Sequence, residues 1–134
     1  MDNDSVHQLP VGLRAFLHSC IESIEQVEVL MLLRGSNRAR SVRDVSTMLR
    51  VPTATARKDL DTLAARGLLE VRVGVDEETT YLYRPKSEDL GRHCDALAEY
   101  YVTSRQAVFG FVATTSRLSI KQFSDAFKLR DREP

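Results

Sequence analysis

The sequence predicts a mainly α-helical fold with one small β-hairpin, an α+β architecture. Apolar residues recur at three- and four-residue steps along most of the 134 residues, and one short stretch alternates apolar with charged residues. With 43% hydrophobic and 28% charged residues the chain can bury one core, so we expect a single domain over residues 1–134. Within it we expect an N-terminal helix over residues 9–22, a central unit over residues 23–84 and a C-terminal helical region over residues 87–130.

The first two elements are predicted to be amphipathic helices. Leu9 and Pro10 open a pattern of apolar residues at helical spacing, and proline is accepted in a first turn. Ser23, followed three residues later by Gln26, has the form of a capping box that begins the second helix. Because glycine often follows the last helical residue, we expect this helix to end at Gly35.

Two further helices follow, separated by a proline turn. Ser41 is expected to cap a short helix. Pro52 disfavours helical angles at the residue before it and suits the first turn of the next helix, predicted over residues 53–66 and ended by Gly67. The residues of the short helix expected to point inward are Val45, Met48 and Leu49.

A β-hairpin is predicted after these helices. Residues 68–73 alternate Leu and Val with charged residues, and residues 79–84 contain two tyrosines. The residues between them form the expected turn, whose tip is the acidic run Asp76-Glu77-Glu78.

The C-terminal part is predicted to form one long helix and one short helix. Ser87 begins the long helix, which would measure on the order of 45 Å if it continued unbroken to about Ser116, with Gly110 as the expected bend. Ser119 and Gln122 form a capping box for the short helix. Because the long helix exceeds what one small core needs, we expect a homodimer formed through the terminal helices. The apolar face of the short helix comprises Ile120, Phe123 and Phe127.

The order of helix, short helix, tight turn, helix and hairpin is that of a winged helix-turn-helix. The stretch from residue 49 to residue 69 has a small residue, Ala56, then Leu60 and Leu63, and ends in Gly67-Leu68-Leu69. This pattern resembles that of bacterial regulators of the MarR, ArsR and PadR families, and the flanking helices resemble the MarR layout, in which terminal helices form the dimer. The resemblance spans residues 23–84 and implies a buried stripe at positions 56, 60 and 63. It also implies a sequence-specific regulator of transcription that binds double-stranded DNA with residues 53–66 in the major groove.

Positive charge is concentrated in the middle of the chain although the totals balance. Nineteen Lys and Arg match nineteen Asp and Glu, but residues 34–72 hold nine basic and four acidic residues. A cationic segment can follow phosphates, and Thr, Arg or Lys on an exposed helix can reach base edges. The predicted DNA-binding residues are Thr53, Ala54, Thr55, Arg57, Lys58 and Asp61 on the helix, with Arg38, Arg40, Ser41 and Arg43 around the start of the preceding helix.

The hairpin departs from the MarR pattern. Its acidic tip lacks the Asp-x-Arg element by which MarR-like wings place an arginine at the minor groove, and DNA repels negative charge. Either the hairpin stays away from the duplex and the helix makes the contact, or the chain is a winged-helix adaptor that binds another protein and no DNA.

Other classes of function are disfavoured. Cys20 and Cys94, which lie near His18 and His93, fall on apolar helical stripes and suit core packing better than a metal, thiol-sensing or disulfide site. No phosphate-binding glycine loop or metalloprotease helix is present, so we expect neither enzymatic activity nor a cofactor. The longest apolar run is too short for a membrane span, and we expect a cytoplasmic protein. Core packing is favoured over a small-molecule effector cavity for Tyr100, Tyr101, Phe109 and Phe111.

Overall fold

The computed structural model describes residues 9–115 and confirms the α+β fold class. Helices pack against a three-stranded antiparallel sheet. Among the described residues, no helix combines the length and the apolar character that crossing a membrane requires. In chain order the elements are α1 (Val11–Cys20), α2 (Ile24–Ser36), β1 (Arg40–Ser41), α3 (Val42–Leu49), α4 (Thr53–Ala65), β2 (Leu69–Val73), β3 (Thr79–Tyr83), α5 (Glu88–Thr103) and α6, the helical residues 105–115.

Helix α2 begins where the sequence predicts but ends later. The Ser23 hydroxyl accepts a hydrogen bond from the Gln26 amide at 3.1 Å, while the Gln26 side chain accepts from the Glu22 amide at 2.8 Å. The expected end at Gly35 is wrong, because Gly35 lies inside the helix and Asn37, with φ of 57°, is the left-handed residue that ends it. Asparagine can occupy that conformation at low cost, so it replaces glycine as the stop.

Helix α3 has the predicted cap and a different inner face. Ser41 and Asp44 form a reciprocal capping box with two hydrogen bonds of 3.1 Å. Val45 is fully buried, whereas Met48 is 48% exposed, which corrects its predicted inward position. The helix has only eight residues and is followed by Arg50 in a left-handed conformation. Leu49, its last residue, is partly buried against the core, in line with its predicted inward position.

Helix α4 follows the prediction closely. Pro52 precedes its first residue, and Ala56, Leu60 and Leu63 are fully buried against α2 and α3. Gly67 adopts a φ of +83°, and hydrogen bonds from Gly67 and Leu68 to the last turn close the helix. The chain therefore leaves α4 in one defined direction, into β2.

The sheet contains one strand that the sequence analysis did not predict. Strand β1 pairs with β3, placing Arg40 opposite Tyr81, and the sheet order is β1-β3-β2. The predicted hairpin is present: β2 and β3 pair with Leu69 opposite Tyr83, and the turn closes through a 2.9 Å hydrogen bond from the Gly74 amide to the Glu78 carbonyl. A two-residue strand carries no periodic signal, so only the tertiary structure shows it.

The long C-terminal helix is interrupted. Helix α5 starts at the predicted cap, where the Ser87 hydroxyl accepts from the Leu90 amide, but it ends at Ser104. The unbroken helix with a bend at Gly110 is therefore wrong. The Ser104 carbonyl accepts from Ala107 and Val108 at the start of α6, and this change of direction buries the apolar side of α6. The predicted capping box at Ser119 and the short helix after it lie outside the described residues.

The core is centred on α2. Four of its side chains, Val27, Val29, Leu30 and Leu33, are fully buried and point to more than one side of the helix. Helix α2 contacts α3, α4 and β3, while α1 packs against α5. This arrangement leaves the opposite side of α4 free to face solvent.

Candidate nucleic-acid interface

The outward side of α4 presents most of the predicted DNA-binding side chains together. Thr53, Ala54, Arg57 and Lys58 are exposed, as is Asp61. These five residues line one shallow depression, which we call the helix-face depression. Thr55 differs, because it is half-buried and turns toward α2.

The helix is held so that this side must face solvent. Side chains at positions 56, 60 and 63 lie on one stripe because three- and four-residue steps return to the same side of a helix. All three are fully buried. Rotating α4 to hide Arg57 and Lys58 would expose this stripe, and each leucine contributes about 1.5–3 kcal/mol by its burial. The orientation of the outward side of α4 is therefore fixed by the core.

Asp61 is tied to the sheet. The buried Tyr81 donates its hydroxyl to Asp61 Oδ1 at 2.5 Å. Burial, together with the bond to Asp61, raises the pKa of Tyr81 to about 12, so this hydroxyl keeps its proton at neutral pH. The bond links β3 to the exposed side of α4 and satisfies one oxygen of a carboxylate beside Arg57.

Ion pairing divides the basic residues of the central segment into two groups. Arg34 pairs with Asp95, Arg66 with Glu22 and Arg72 with Glu70, at 2.9, 3.0 and 2.7 Å. Each of these three arginines has an ion-pair partner within the chain, although Arg72 shares Glu70 with Arg84. The exposed basic residues of the segment that form no ion pair within residues 9–115 are Arg38, Arg43, Arg50, Arg57 and Lys58.

The residues predicted around the start of α3 take different positions. Arg38 is exposed in the connection before β1, and Arg43 is exposed in the first turn of α3. Arg40 is half-buried and donates from Nε to the Ser36 hydroxyl at 3.2 Å. The Ser41 hydroxyl is occupied by its capping bond. Of this group, Arg38 and Arg43 are the arginines whose side chains are exposed and make no ion pair among residues 9–115.

The acidic hairpin tip lies near this basic surface. Glu77 and Glu78 share a second depression with Arg43 and Arg57, which we call the wing depression. Its remaining lining residues are Ser41, Val42 and Thr79. The side of the hairpin nearest the start of α3 therefore mixes both signs of charge, whereas the helix-face depression carries Arg57 and Lys58 against one tied carboxylate.

Sequence reasoning missed three residues, which are Arg50, Asp59 and Glu25. Arg50, exposed in the turn between α3 and α4, belongs with the unpaired basic residues. Asp59 is 5% exposed and faces Glu25 of α2. The signal for Asp59 was available, because it lies three residues after Ala56, on the apolar stripe, where a charged residue is out of place.

The cysteines and aromatic residues occupy the core and its edges. Cys94 is fully buried, and burial raises the pKa of its thiol to about 11. His93 stacks on Phe16 with ring centroids 5.4 Å apart. Among residues 9–115 there is no cluster of three or more metal-binding side chains. The aromatic residues named in the sequence analysis, Tyr100, Tyr101, Phe109 and Phe111, are each partly buried against the core.

Comparison with solved structures identifies the fold. No protein-family model matches the sequence, and no curated protein matches it either. Among solved structures, a MarR-family transcriptional regulator from Silicibacter pomeroyi shares 18% identity with a TM-score of 0.54, over 99% of this chain and 88% of the other. A mutant of MepR from S. aureus, bound to an oligodeoxyribonucleotide, shares 13% identity with a TM-score of 0.55, over 96% and 88% of the two chains. A mutant of MarR from E. coli shares 12% identity with a TM-score of 0.52, over 95% and 88%. The chain therefore has the winged helix-turn-helix fold of the MarR-family regulators.

Proposed function

We propose that this chain is a transcriptional regulator that binds double-stranded DNA as a homodimer, with α4 in the major groove. One observation carries the proposal: the first half of α4 is held outward by its buried stripe and presents Arg57 and Lys58, which have no ion-pair partner among residues 9–115. A structure of the same fold, MepR, is bound to an oligodeoxyribonucleotide, which supports DNA as the ligand class.

The dimensions and chemistry of α4 suit a groove. Its 13 residues span about 20 Å, and the major groove, about 12 Å wide, admits one α-helix. Thr53 offers a hydroxyl to a base edge or phosphate, and the small Ala54 allows close approach. Arg57 and Lys58 supply the cations, while Arg38, Arg43 and Arg50 would contact phosphates on either side.

The homodimer is supported by apolar exposure on the terminal helices. Val11 of α1 and Val102 of α5 are 73% and 79% exposed. Helices α1 and α5 pack against each other, so the two exposed valines lie on one pair of packed helices. In a dimer built through these helices, two copies of α4 would read half-sites about 34–36 Å apart. Light scattering tests this part: we expect twice the 15.1 kDa chain mass, and a 15.1 kDa particle at micromolar concentration contradicts it.

The test of DNA binding is a salt titration of affinity. Fluorescence anisotropy with a labelled duplex from the gene's own upstream region measures the dissociation constant from 50 to 300 mM salt. The variant is Arg57→Ala with Lys58→Ala. The matched control, Lys86→Ala with Arg92→Ala, also removes one lysine and one arginine, but from the base of the hairpin and from α5.

We expect the variant to change both the affinity for the duplex and the dependence of that affinity on salt. Each lost phosphate contact makes the negative slope of log affinity against log salt shallower by about 0.9. For a dimer that loses two contacts per subunit, the slope should become shallower by about 3.6, whereas for a monomer it should become shallower by about 1.8. The control should bind like the unmodified chain. If the Arg57 and Lys58 variant keeps both affinity and slope, α4 is not the contact surface.

The acidic hairpin tip favours the second candidate, a winged-helix adaptor that binds another protein. The negative charges of Glu77 and Glu78 in the wing depression would repel a phosphate there. The adaptor predicts no duplex binding even at 50 mM salt, together with one stoichiometric protein partner in a pull-down. Salt-dependent duplex binding that is lost with Arg57 and Lys58 excludes it as the main function.

A further inference from the structure

The inner side of α4 carries a buried carboxylate that DNA contact does not require. Asp59 is 5% exposed. Its Oδ1 accepts a long hydrogen bond of 3.4 Å from the Gln26 side-chain amide. Its Oδ2 is buried and has no hydrogen-bond donor among the described residues. A buried carboxylate oxygen without a donor is costly, so a further group must satisfy it.

Glu25 of α2 lies beside Asp59. Glu25 and Asp59 line one depression, which we call the carboxyl depression, and their side chains lie within hydrogen-bonding reach. When both are ionised, neither can donate and the two charges repel. When one is protonated, its O–H can donate to the other.

We propose that Glu25 and Asp59 share one proton and that this carboxyl pair fixes α4 against α2, so that the placement of the DNA-facing helix depends on pH. The consequence for DNA rests on the function proposed above, whereas the proton-sharing pair does not. The pair is a property of the fold and can be measured without a duplex.

The surroundings of Glu25 favour its protonated form. The hydrogen bond with Asp59, followed by burial and by the negative charges of Asp59 and Glu28, raises the pKa of Glu25 to about 7. The start of α2 acts in the opposite direction, since helix N-termini favour carboxylates. Glu22 also lines the carboxyl depression and pairs with Arg66 at 3.0 Å.

Among the residues that the structure describes, Lys58 is the one cation that lines the carboxyl depression. It forms no ion pair within residues 9–115, so it neutralises neither carboxyl group there. The depression's charged lining comes from α4, from α2 and from the residue before its cap; helix α3 and strand β2, which also pack on α4, contribute none of its lining residues.

The direction of the pH effect follows from linkage. The folded chain binds the Glu25 proton more tightly than the unfolded chain, whose glutamate has a pKa near 4.5. The stabilisation is therefore complete below about pH 4.5 and is lost as the pH rises through about 7. Above that range the two carboxylates repel, and the repulsion acts between α2 and the segment of α4 that holds Arg57 and Lys58.

Urea unfolding from pH 5 to pH 8 tests the pair. The variant Glu25→Gln keeps a donor toward Asp59 but cannot ionise, and Glu99→Gln makes the same change at an exposed site on α5. Relative to Glu25→Gln, the unmodified chain should lose at least about tenfold in its folding equilibrium constant between pH 5 and pH 8. Glu99→Gln should follow the unmodified chain. Parallel profiles for all three proteins overturn the proposal.

A measurement on the unmodified chain covers the case in which Glu25→Gln fails to fold. The carboxyl carbon of Glu25, followed by NMR, should titrate with a midpoint near neutral pH. A midpoint in the ordinary glutamate range means that Lys58 or water neutralises the pair, and it overturns the proposal.

Duplex affinity at pH 6 and pH 8, at one salt concentration, tests the effect on α4. The unmodified chain should bind more weakly at pH 8, and Glu25→Gln should show a smaller change between the two pH values. Equal pH ratios for the two proteins overturn the coupling to DNA. If no duplex binds at either pH, the proposed function fails, while the unfolding profiles still decide on the pair.

Discussion

Two glycines that look alike in the sequence should respond to alanine in opposite directions. Gly35 and Gly67 each follow an apolar helical pattern, and the sequence predicts that each ends its helix. In the structure only Gly67 does so, with a φ of +83°, while Gly35 lies within α2. Gly67→Ala should therefore destabilise the chain, whereas Gly35→Ala should stabilise it.

The magnitudes follow from the surroundings of each glycine. At Gly67, the left-handed backbone conformation would lower the unfolding free energy of an alanine variant by about 1–2 kcal/mol. Its Cβ would also lie 2.6 Å from Lys86 Cδ, a contact that the flexible lysine can relieve by moving. At Gly35, apart from its chain neighbours and the backbone of its own helix, no atom of residues 9–115 lies within 4 Å of the added Cβ, and replacing glycine by alanine inside a helix gains about 0.5–1 kcal/mol. The two variants should differ by about 1.5–3 kcal/mol in unfolding free energy.

Urea unfolding at pH 7 and one protein concentration measures both effects. Gly67→Ala combined with Lys86→Ala separates backbone strain from the lysine contact, because the strain persists when the lysine is shortened. The reasoning is refuted if Gly67→Ala unfolds at the same urea concentration as the unmodified chain, or if Gly35→Ala is destabilised.

Three further predictions concern the cap, the sheet and the buried thiol. Ser41→Ala removes one of the two bonds of the α3 capping box and should lower the unfolding free energy by about 1 kcal/mol in the same urea assay; an unchanged midpoint would contradict the cap. Tyr81→Phe removes the donor to Asp61 and should cost about 1 kcal/mol, whereas Tyr100→Phe should cost less because its hydroxyl makes no hydrogen bond within residues 9–115. With its pKa raised to about 11 by burial, Cys94 should react with a disulfide reagent at pH 8 about a hundredfold more slowly in the folded than in the unfolded chain, and equal rates would show that it is accessible.

Local signals predicted those parts of the fold that depend on neighbouring residues. The Ser41 cap, the break at Pro52 and the glycine exit at position 67 each involve a few consecutive residues, and the structure has all three. The buried stripe of α4 was also predictable, since helical periodicity alone identifies it. The exposed face opposite that stripe follows from the same geometry.

The features that were missed depend on contacts between distant residues. Strand β1 exists because Arg40 and Ser41 meet β3, about forty residues later in the chain. The break at Ser104 separates two stretches that are each helical, so periodicity shows no interruption there. Asp59 stood on the apolar stripe in the sequence, but its relation to Glu25 depends on the packing of α4 against α2.

An NMR titration of the isotopically labelled chain with a duplex tests most directly whether the exposed end of α4 enters DNA. The backbone amides of residues 53–58 should show the largest shift changes, with those of Arg38, Arg43 and Arg50 next and those of α1 and α5 nearly unchanged. Shift changes concentrated on α1 or α5, with residues 53–58 unaffected at saturating duplex, would contradict the account.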